Sequence, residues 1–163
     1  MGGPQPAVDL ETRFAVQDHL DRYAACLDDA DYESWPGFFC DECLYQIVPR
    51  ENWDRKLPLA TLRCESRGML EDRVVALRQT MMYEPRALRH LISGLRVARI
   101  EGDALRARAN YCVLETLVDE PTKILQAGRY EAQLEFEGGG LLFRELACVF
   151  DSVVVPNSLV IPI

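Results

Sequence analysis

The fold is decided by residues 104 to 136, which read ALRARANYCVLETLVDEPTKILQAGRYEAQLEF. In the second half of this stretch, polar side chains alternate with mostly apolar positions. One parity holds Ile124, Gly128, Tyr130, Ala132, Leu134 and Phe136, and the other holds Arg129, Glu131, Gln133 and Glu135. Such alternation is typical of a β-strand with one face in the core and one in water. The turn-forming residues 119 to 122 separate it from an equally long strand-like segment, so the stretch predicts a hairpin of two long strands.

Similar segments lie on both sides of this hairpin, and compact glycine-containing turns at residues 101 to 103 and 137 to 140 connect them. Hairpin-type turns between alternating segments favour an antiparallel meander. We predict four strands: Leu88 to Ile100, Ala104 to Val118, Ile124 to Phe136 and Leu141 to Val153.

The first half of the chain has the spacing of helices instead. After Asp9, a good N-cap, apolar side chains recur every three or four residues as far as Ala30, which places them on one helical face. They are Val16, Leu20, Tyr23 and Leu27. We predict two more helices, Ser34 to Phe39 with Pro36 in its first turn and Met69 to Met82 with Ser66 as cap. Short extended segments are expected at Cys43 to Pro49 and Leu59 to Cys64, separated by a polar loop at Arg50 to Lys56.

Helices followed by a long meander predict the α+β class. We expect a cone-shaped half-barrel, in which three N-terminal helices cover the concave face of a curved, mostly antiparallel sheet. Residues 9–163 are expected to form this single domain, and residues 1–8 a flexible N-terminal arm.

The balance of charge excludes one class of partner. The chain has 18 Lys and Arg residues against 26 Asp and Glu, a formal net charge of −8, so we expect no binding to nucleic acid. No apolar run approaches the ~20 residues of a membrane-spanning helix, and no signal peptide is recognisable. We therefore expect a cytoplasmic protein without membrane contact, whose six cysteines stay reduced.

Histidine is scarce, with only His19 and His90 present. A Rieske cluster needs two Cys and two His at close spacing, and no Cys here is followed by His within three residues. A mononuclear non-haem iron site would require both histidines to converge with a carboxylate. We expect His19, which follows Asp18, to be solvated on the surface, and we predict no metal or cofactor site in this chain.

His90 opens a predicted strand and can meet an acid from the end of the first helix, namely Asp28, Asp29 or Asp31. A carboxylate and an imidazole form a common acid–base pair, and the catalytic hypothesis takes Asp29 and His90 for these roles. The alternative, which we favour, is a histidine hydrogen-bonded at the start of a strand or at a subunit contact.

Three other patterns have structural interpretations. The single CxxC, Cys40 to Cys43, lacks a second pair or a nearby His, so both thiols are predicted to be ordinary and half-buried. The glycines at 138 to 140 precede no helix and predict a turn. A patch of arginines lies on the first long hairpin: Arg86, Arg89, Arg96, Arg99, Arg106 and Arg108. Because acidic residues are interleaved with them, we expect a solvated face or a face salt-linked to another subunit rather than an anion-binding site.

Residues 153 to 163, VVVPNSLVIPI, form an uncharged tail with two prolines. Free in water such a segment would promote aggregation, so we expect it to pack across its own domain or into a neighbouring subunit.

Several stretches, in order, resemble the small (β) subunits of Rieske-type aromatic-ring-hydroxylating oxygenases, especially those of salicylate 5-hydroxylase and terephthalate dioxygenase. The stretches are YAACLDDADYESWPGFF (23–39), PREN (49–52), ESRGMLEDRV (65–74), RHLISGLRV (89–97) and FDSVVVPNSLVIPI (150–163). The resemblance implies the cone fold shared with ketosteroid isomerase, scytalone dehydratase and nuclear transport factor 2.

The resemblance also implies a non-catalytic structural role in the oxygenase component of an aromatic catabolic enzyme. A large (α) subunit would hold the [2Fe–2S] Rieske cluster and the mononuclear Fe(II), and a reductase would supply electrons from NAD(P)H. The expected assembly is a hexamer of three α and three β subunits (α3β3) with β–β contacts. Residues 49–59, PRENWDRKLPL, and the ending PNSLVIPI are more similar to the salicylate type, so a salicylate-like substrate is expected first and a terephthalate-like one second.

Two other functions stay open at this point. One is a free-standing dehydratase or isomerase of the same fold that uses Asp29 and His90. The other is a module that binds a small aromatic ligand in the cone without chemistry.

Overall fold

A computed structural model describes residues 8–79, 85–152 and 161–163. The helices are α1 (Leu10–Asp28), a 3-10 helix (Trp35–Phe38), α2 (Arg50–Asp54) and α3 (Arg67–Gln79). The strands are β1 (Phe39–Pro49), β2 (Leu62–Cys64), β3 (Arg86–Arg99), β4 (Leu105–Leu117), β5 (Lys123–Glu137) and β6 (Gly140–Phe150). Within this part of the chain no helix is both long and apolar enough to cross a membrane.

The first helix follows its sequence pattern closely. The Asp9 carboxylate accepts a hydrogen bond from the main-chain N–H of Thr12 at 2.7 Å, which caps the helix as predicted. The four predicted apolar side chains, Val16, Leu20, Tyr23 and Leu27, are all buried. One face of α1 therefore lies against the sheet.

The third helix is confirmed as well. Leu70, Val74 and Leu77 are buried, and the Ser66 hydroxyl accepts from the N–H of Met69 at 3.3 Å. The helix was predicted to reach Met82, and the residues from 80 to 84 lie outside the described part of the chain.

One curved sheet of six strands has the order β2-β1-β6-β5-β4-β3. The last four strands pair antiparallel with their chain neighbours, so the predicted meander is confirmed. The pairing of β1 with β6 is parallel, and β2 pairs antiparallel with β1 at the edge. The predicted α+β class with a mostly antiparallel sheet is correct.

Three local predictions were wrong. Residues 50 to 56 were expected to be a polar loop, but the chain forms α2 there, and Trp53 packs on a small apolar cluster of Val48, Ala147 and Val149 on the outer face of the sheet. That tertiary contact outweighs the polar local sequence. The 3-10 helix has no side-chain cap from Ser34, and the strand predicted from Leu59 begins only at Leu62.

A bulge in β5 reverses the predicted alternation at one end of the strand. Val113 of β4 pairs with Gln126, but its neighbour Leu114 pairs with Ile124, so Leu125 is the extra residue. Ile124 therefore faces outward and is 68% exposed, although the alternation assigned it to the core. In the middle of the strand Tyr130 is buried as predicted.

Close approach of β5 and β6 requires a glycine at position 128. A Cβ on Gly128 would lie 2.1 Å from the carbonyl oxygen of Val149 and 2.8 Å from the Cα of Phe150. Any side chain would therefore force the two backbones apart.

The core fills the concave side of the sheet. The ring of Tyr23 on α1 meets those of Phe39 and Phe143 edge-on, and Trp35 meets Tyr45 in the same manner at 5.1 Å. Ile161 and Ile163 are buried in the same cluster. Of the two alternatives predicted for the tail, packing on its own domain holds for residues 161–163, whereas residues 153–160 lie outside the described part.

Candidate functional site

The interior of the cone is occupied by Ile163. Its main-chain oxygen accepts hydrogen bonds from the hydroxyls of Tyr23 and Tyr45 at 2.7 and 3.3 Å, and from the Cys148 thiol at 3.2 Å. Its N–H donates to the Tyr45 hydroxyl at 2.9 Å. The Ile163 side chain is fully buried, so it takes up space that a ligand in the cone would need.

These surrounding groups are poor acid–base catalysts. Burial raises the pKa of Tyr23 and of Tyr45 well above the ordinary value for tyrosine, and it likewise raises the pKa of the Cys148 thiol. All three therefore remain protonated at neutral pH, and their hydrogens serve the bonds to Ile163.

His90 is paired with Asp28. The ring Nδ1 donates to Oδ1 of Asp28 at 2.6 Å, and the main-chain N–H of His90 donates to the same carboxylate at 3.0 Å. The catalytic hypothesis took Asp29 as the acid, whereas the partner of His90 is Asp28, and Asp29 is the exposed residue that follows the last turn of α1. Asp31 is exposed, and its carbonyl accepts from the Cys26 thiol.

The surroundings of this pair restrict access. The side chain of His90 has no exposed surface and that of Asp28 is 8% exposed. A surface pocket of about 380 Å³ is lined by Asp28 and His90 themselves, together with Asp21, Asp29, Arg89 and Ile92. The Nε2 atom of His90 is buried and has no hydrogen-bond partner among the described residues. A substrate could reach the ring only if the structure moved.

His19 was predicted to be solvated, and this was wrong. The residue is 1% exposed, and its ring contacts those of Phe38 and Phe143 edge-on. Burial lowers its pKa to about 4, so the ring is neutral at physiological pH. The burial of His19 could have been predicted from its spacing, because position 19 lies three residues after Val16 and four before Tyr23, on the buried face of α1.

The histidines do not fit an iron site in the described part of the chain. His19 lies on α1 among aromatic rings, and the Nδ1 of His90 on β3 is taken by Asp28. The one group of three possible ligand residues among the described positions is Cys40, Glu135 and Glu137, which contains no histidine. Neither the Cys and His set of a Rieske cluster nor two histidines with a carboxylate is brought together there.

The CxxC thiols are more deeply buried than predicted. Cys40 and Cys43 are 1% and 6% exposed. Burial, together with the neighbouring carboxylate of Glu135, raises the pKa of Cys40 to about 12, and burial raises that of Cys43 to about 11. All six cysteines are free.

The six arginines that were predicted to form one patch divide into two groups. Arg86 is bound to Glu115 at 2.6 Å, Arg99 lies 3.4 Å from Asp9, and Arg89 lies at 4.0 Å from Asp28. The other three, Arg96, Arg106 and Arg108, line adjoining pockets on the outer face of the sheet. The glycines at 138 to 140 form the predicted turn, in which Gly138 and Gly139 have positive φ.

Comparisons with known proteins agree with one another. Residues 8–147 match the SnoaL-like domain family. The chain is 34% identical over 155 residues to the anthranilate 1,2-dioxygenase small subunit of Burkholderia cepacia, covering 95% of this chain and 96% of that protein. It is 32% identical over 143 residues to subunit beta 2 of the terminal oxygenase component of terephthalate 1,2-dioxygenase from Comamonas sp, with 86% and 92% covered.

A solved structure gives the same result. The β subunit assigned to an aromatic-ring-hydroxylating dioxygenase of Novosphingobium aromaticivorans is 38% identical to this chain. It superposes with a TM-score of 0.83 over 93% of this chain and 95% of that one. The likeness therefore extends over almost the whole of both molecules.

Proposed function

The chain belongs to the SnoaL-like domain family, and within it to the small subunits of aromatic-ring-hydroxylating dioxygenases; from this premise we propose that it has a structural, non-catalytic role. It would serve in the oxygenase component of an enzyme that hydroxylates an aromatic carboxylate. Its principal partner would be a large (α) subunit that carries the chemistry.

The observation that carries the structural role is the filled cone. Related cone folds need an open interior to bind a substrate, and here Ile163 occupies the centre with its N–H and carbonyl both hydrogen-bonded. The buried tyrosines around it stay protonated, because burial raises the pKa of Tyr23 and of Tyr45. This interior supports folding rather than catalysis.

The substrate class is inferred from the relatives. One is named for anthranilate and another for terephthalate, and both compounds are aromatic carboxylates. A salicylate-like hydroxybenzoate remains our first expectation, from the resemblance of residues 49–59 and of the ending, and a terephthalate-like substrate is the second.

Iron would reside in the partner. The large subunit is proposed to hold the [2Fe–2S] Rieske cluster and the mononuclear Fe(II), and a reductase would deliver electrons from NAD(P)H. The separated environments of His19 and His90 support this division, because neither ring is placed to share a metal with the other. We further propose an α3β3 hexamer with β–β contacts, located in the cytoplasm.

Co-expression with the neighbouring reading frame tests the proposal. We expect the chain to co-purify with a large subunit of roughly two to three times its mass, and only the complex should contain iron and oxidise an aromatic carboxylate. The purified chain alone should be inactive. Oxidation of an arene by the chain alone, or stoichiometric iron in it, would refute the proposal.

The hydrogen bond between His90 and Asp28 favours a second candidate, a free-standing dehydratase or isomerase, with Asp28 in the role first given to Asp29. It predicts that the isolated chain turns over a small carbonyl or hydroxyl compound. A ligand-binding module, the third possibility, predicts that a small aromatic compound raises the melting temperature of the isolated chain.

A further inference from the structure

The outer face of β3 and β4 brings together arginines that repel one another. Arg96 of β3 lies directly opposite Arg108 of β4, and like charges at opposed positions of neighbouring strands disfavour folding. Glu131 of β5 compensates Arg108 at 2.6 Å. Arg96 and Arg106 have no ion pair with any residue in the described ranges, although Glu131 and Glu145 line a pocket together with Arg106. Two guanidinium groups on this face are therefore left without a direct partner in a chain whose net charge is −8.

The arginines surround a pocket. A cavity of about 370 Å³ on this face is lined by Arg50, Arg96, Arg108 and Arg129, and Gly94 and Gly128 add no side chain to it. Arg129 is bound to Glu131 at 2.9 Å, and Arg50 pairs with Asp151. Arg96 therefore remains as a free guanidinium at a pocket large enough for a carboxylate side chain, which an arginine binds through two parallel hydrogen bonds.

Apolar side chains continue the same face. Leu91 lies in register with Cys112 of β4, which in turn lies in register with Ala127 of β5. Leu91 is 52% exposed and Ile124 is 68% exposed. Ile124 lies in register with Leu114, six residues along β4 from Arg108, so the apolar side chains lie farther along the same face than the arginines. Exposed leucine and isoleucine on a face that also carries arginines are typical of a protein interface. The face extends across three strands, which is broader than a small molecule needs.

We propose that this outer face, defined by Leu91, Arg96, Arg106, Arg108 and Ile124, is the docking surface for an acidic patch of the large oxygenase subunit. Arg96 and Arg106 bind its carboxylates, and Leu91 and Ile124 contact apolar side chains farther along the same face. Charge complementarity selects this occupant, because the same face of a second copy would set arginines against arginines. The inference rests on the proposed function and adds to it the surface that meets the partner.

A charge-reversal experiment tests the surface. The double variant Arg96→Glu/Arg106→Glu is compared with Arg13→Glu/Arg22→Glu, which makes the same charge change at exposed positions of α1. We expect the first variant to bind the large subunit about a hundredfold more weakly than the wild-type chain, and the α1 variant to bind within about threefold of it. Arg96→Lys/Arg106→Lys keeps the charge but loses the paired hydrogen bonds, so it should bind more tightly than the reversal variant and more weakly than the wild-type chain. The melting temperature of each isolated chain checks that folding is intact.

The outcomes separate the two proposals. If the wild-type chain binds no large subunit, the proposed function fails and this inference fails with it. If both reversal variants bind the large subunit as tightly as the wild-type chain does, only the docking surface is wrong. The same conclusion follows if the two variants lose affinity to the same extent. Sedimentation of the isolated chain tests whether a second copy of the chain occupies the face. If Arg96→Glu/Arg106→Glu abolishes self-association but still binds the large subunit, the face belongs to a second copy and the proposal is overturned.

Discussion

The carboxylate of Asp28 accepts two hydrogen bonds from His90, one from the ring Nδ1 at 2.6 Å and one from the main-chain N–H at 3.0 Å. The pair joins the last residue of α1 to β3 across 62 positions of sequence. Because the His90 side chain has no exposed surface, the pair holds the helix on the sheet.

Replacing His90 with Ala should destabilise the chain without abolishing catalysis by the complex. The change leaves the buried Asp28 carboxylate without its ring partner, and we expect a loss of about 3 kcal/mol in the free energy of unfolding. Turnover by the assembled enzyme should stay within about tenfold. Arg89→Ala, which removes an exposed side chain 4.0 Å from Asp28, is the control and should change stability little. A loss of several orders of magnitude in turnover, with unchanged stability, would instead favour acid–base catalysis.

The sequence offered three acids as partners of His90, including Asp28, but it did not decide among them, and the catalytic hypothesis took Asp29. Successive residues of an α-helix point about 100° apart, so Asp28 and Asp29 face different directions and a one-residue choice decides the contact. That choice depends on how α1 is rotated against the sheet, which is set by long-range packing. The burial of His19, by contrast, was predictable from the sequence, because position 19 belongs to the buried face of α1.

The meander was predictable because alternation persists through each long strand, and its exceptions depend on pairing. The bulge that turns Ile124 outward arises from the register between β4 and β5, which the sequence of β5 alone does not contain. The contact that makes residues 50 to 54 helical is likewise tertiary, through Trp53. The occupation of the cone by Ile163 could be anticipated only as packing of an apolar tail.

Ile163→Ala should destabilise the isolated chain strongly. Its side chain has no exposed surface, and its removal leaves a cavity among aromatic rings, so we expect a loss of about 3 kcal/mol in unfolding free energy by denaturant titration. Ile124→Ala makes the same chemical change at a 68% exposed position and should alter the free energy by less than about 0.5 kcal/mol. Equal effects of the two substitutions would show that Ile163 does not fill the core in solution.

Stability should fall with acidity in a window set by His19. Its pKa is lowered from 6.5 to about 4 by burial, so between these values the unfolded chain binds a proton that the folded chain does not. The stabilising effect of keeping His19 neutral is therefore fully present above pH 6.5. As the pH falls toward 4, the free energy of unfolding decreases by an amount on the order of 3 kcal/mol. His19→Leu should flatten this part of the pH profile of the melting temperature. A second loss of stability, from protonation of Glu33, occurs at lower pH, because hydrogen bonding to Arg78 lowers the pKa of Glu33 to about 2. This second loss should remain in the His19→Leu variant.

Cys112 should be the thiol that reports partner docking. The other five cysteines are buried, whereas Cys112 is half-buried on the outer face of β4, in register with Leu91. Alkylation requires an accessible thiolate, so iodoacetamide at pH 8 should modify Cys112 first in the native chain and all six thiols after denaturation. If the outer face contacts the large subunit, assembly should slow the labelling of Cys112, as measured by mass spectrometry of the digested protein. Cys112→Ser removes the fast phase and identifies it, and equally fast labelling of Cys112 in the complex would show that this part of the face stays open to solvent.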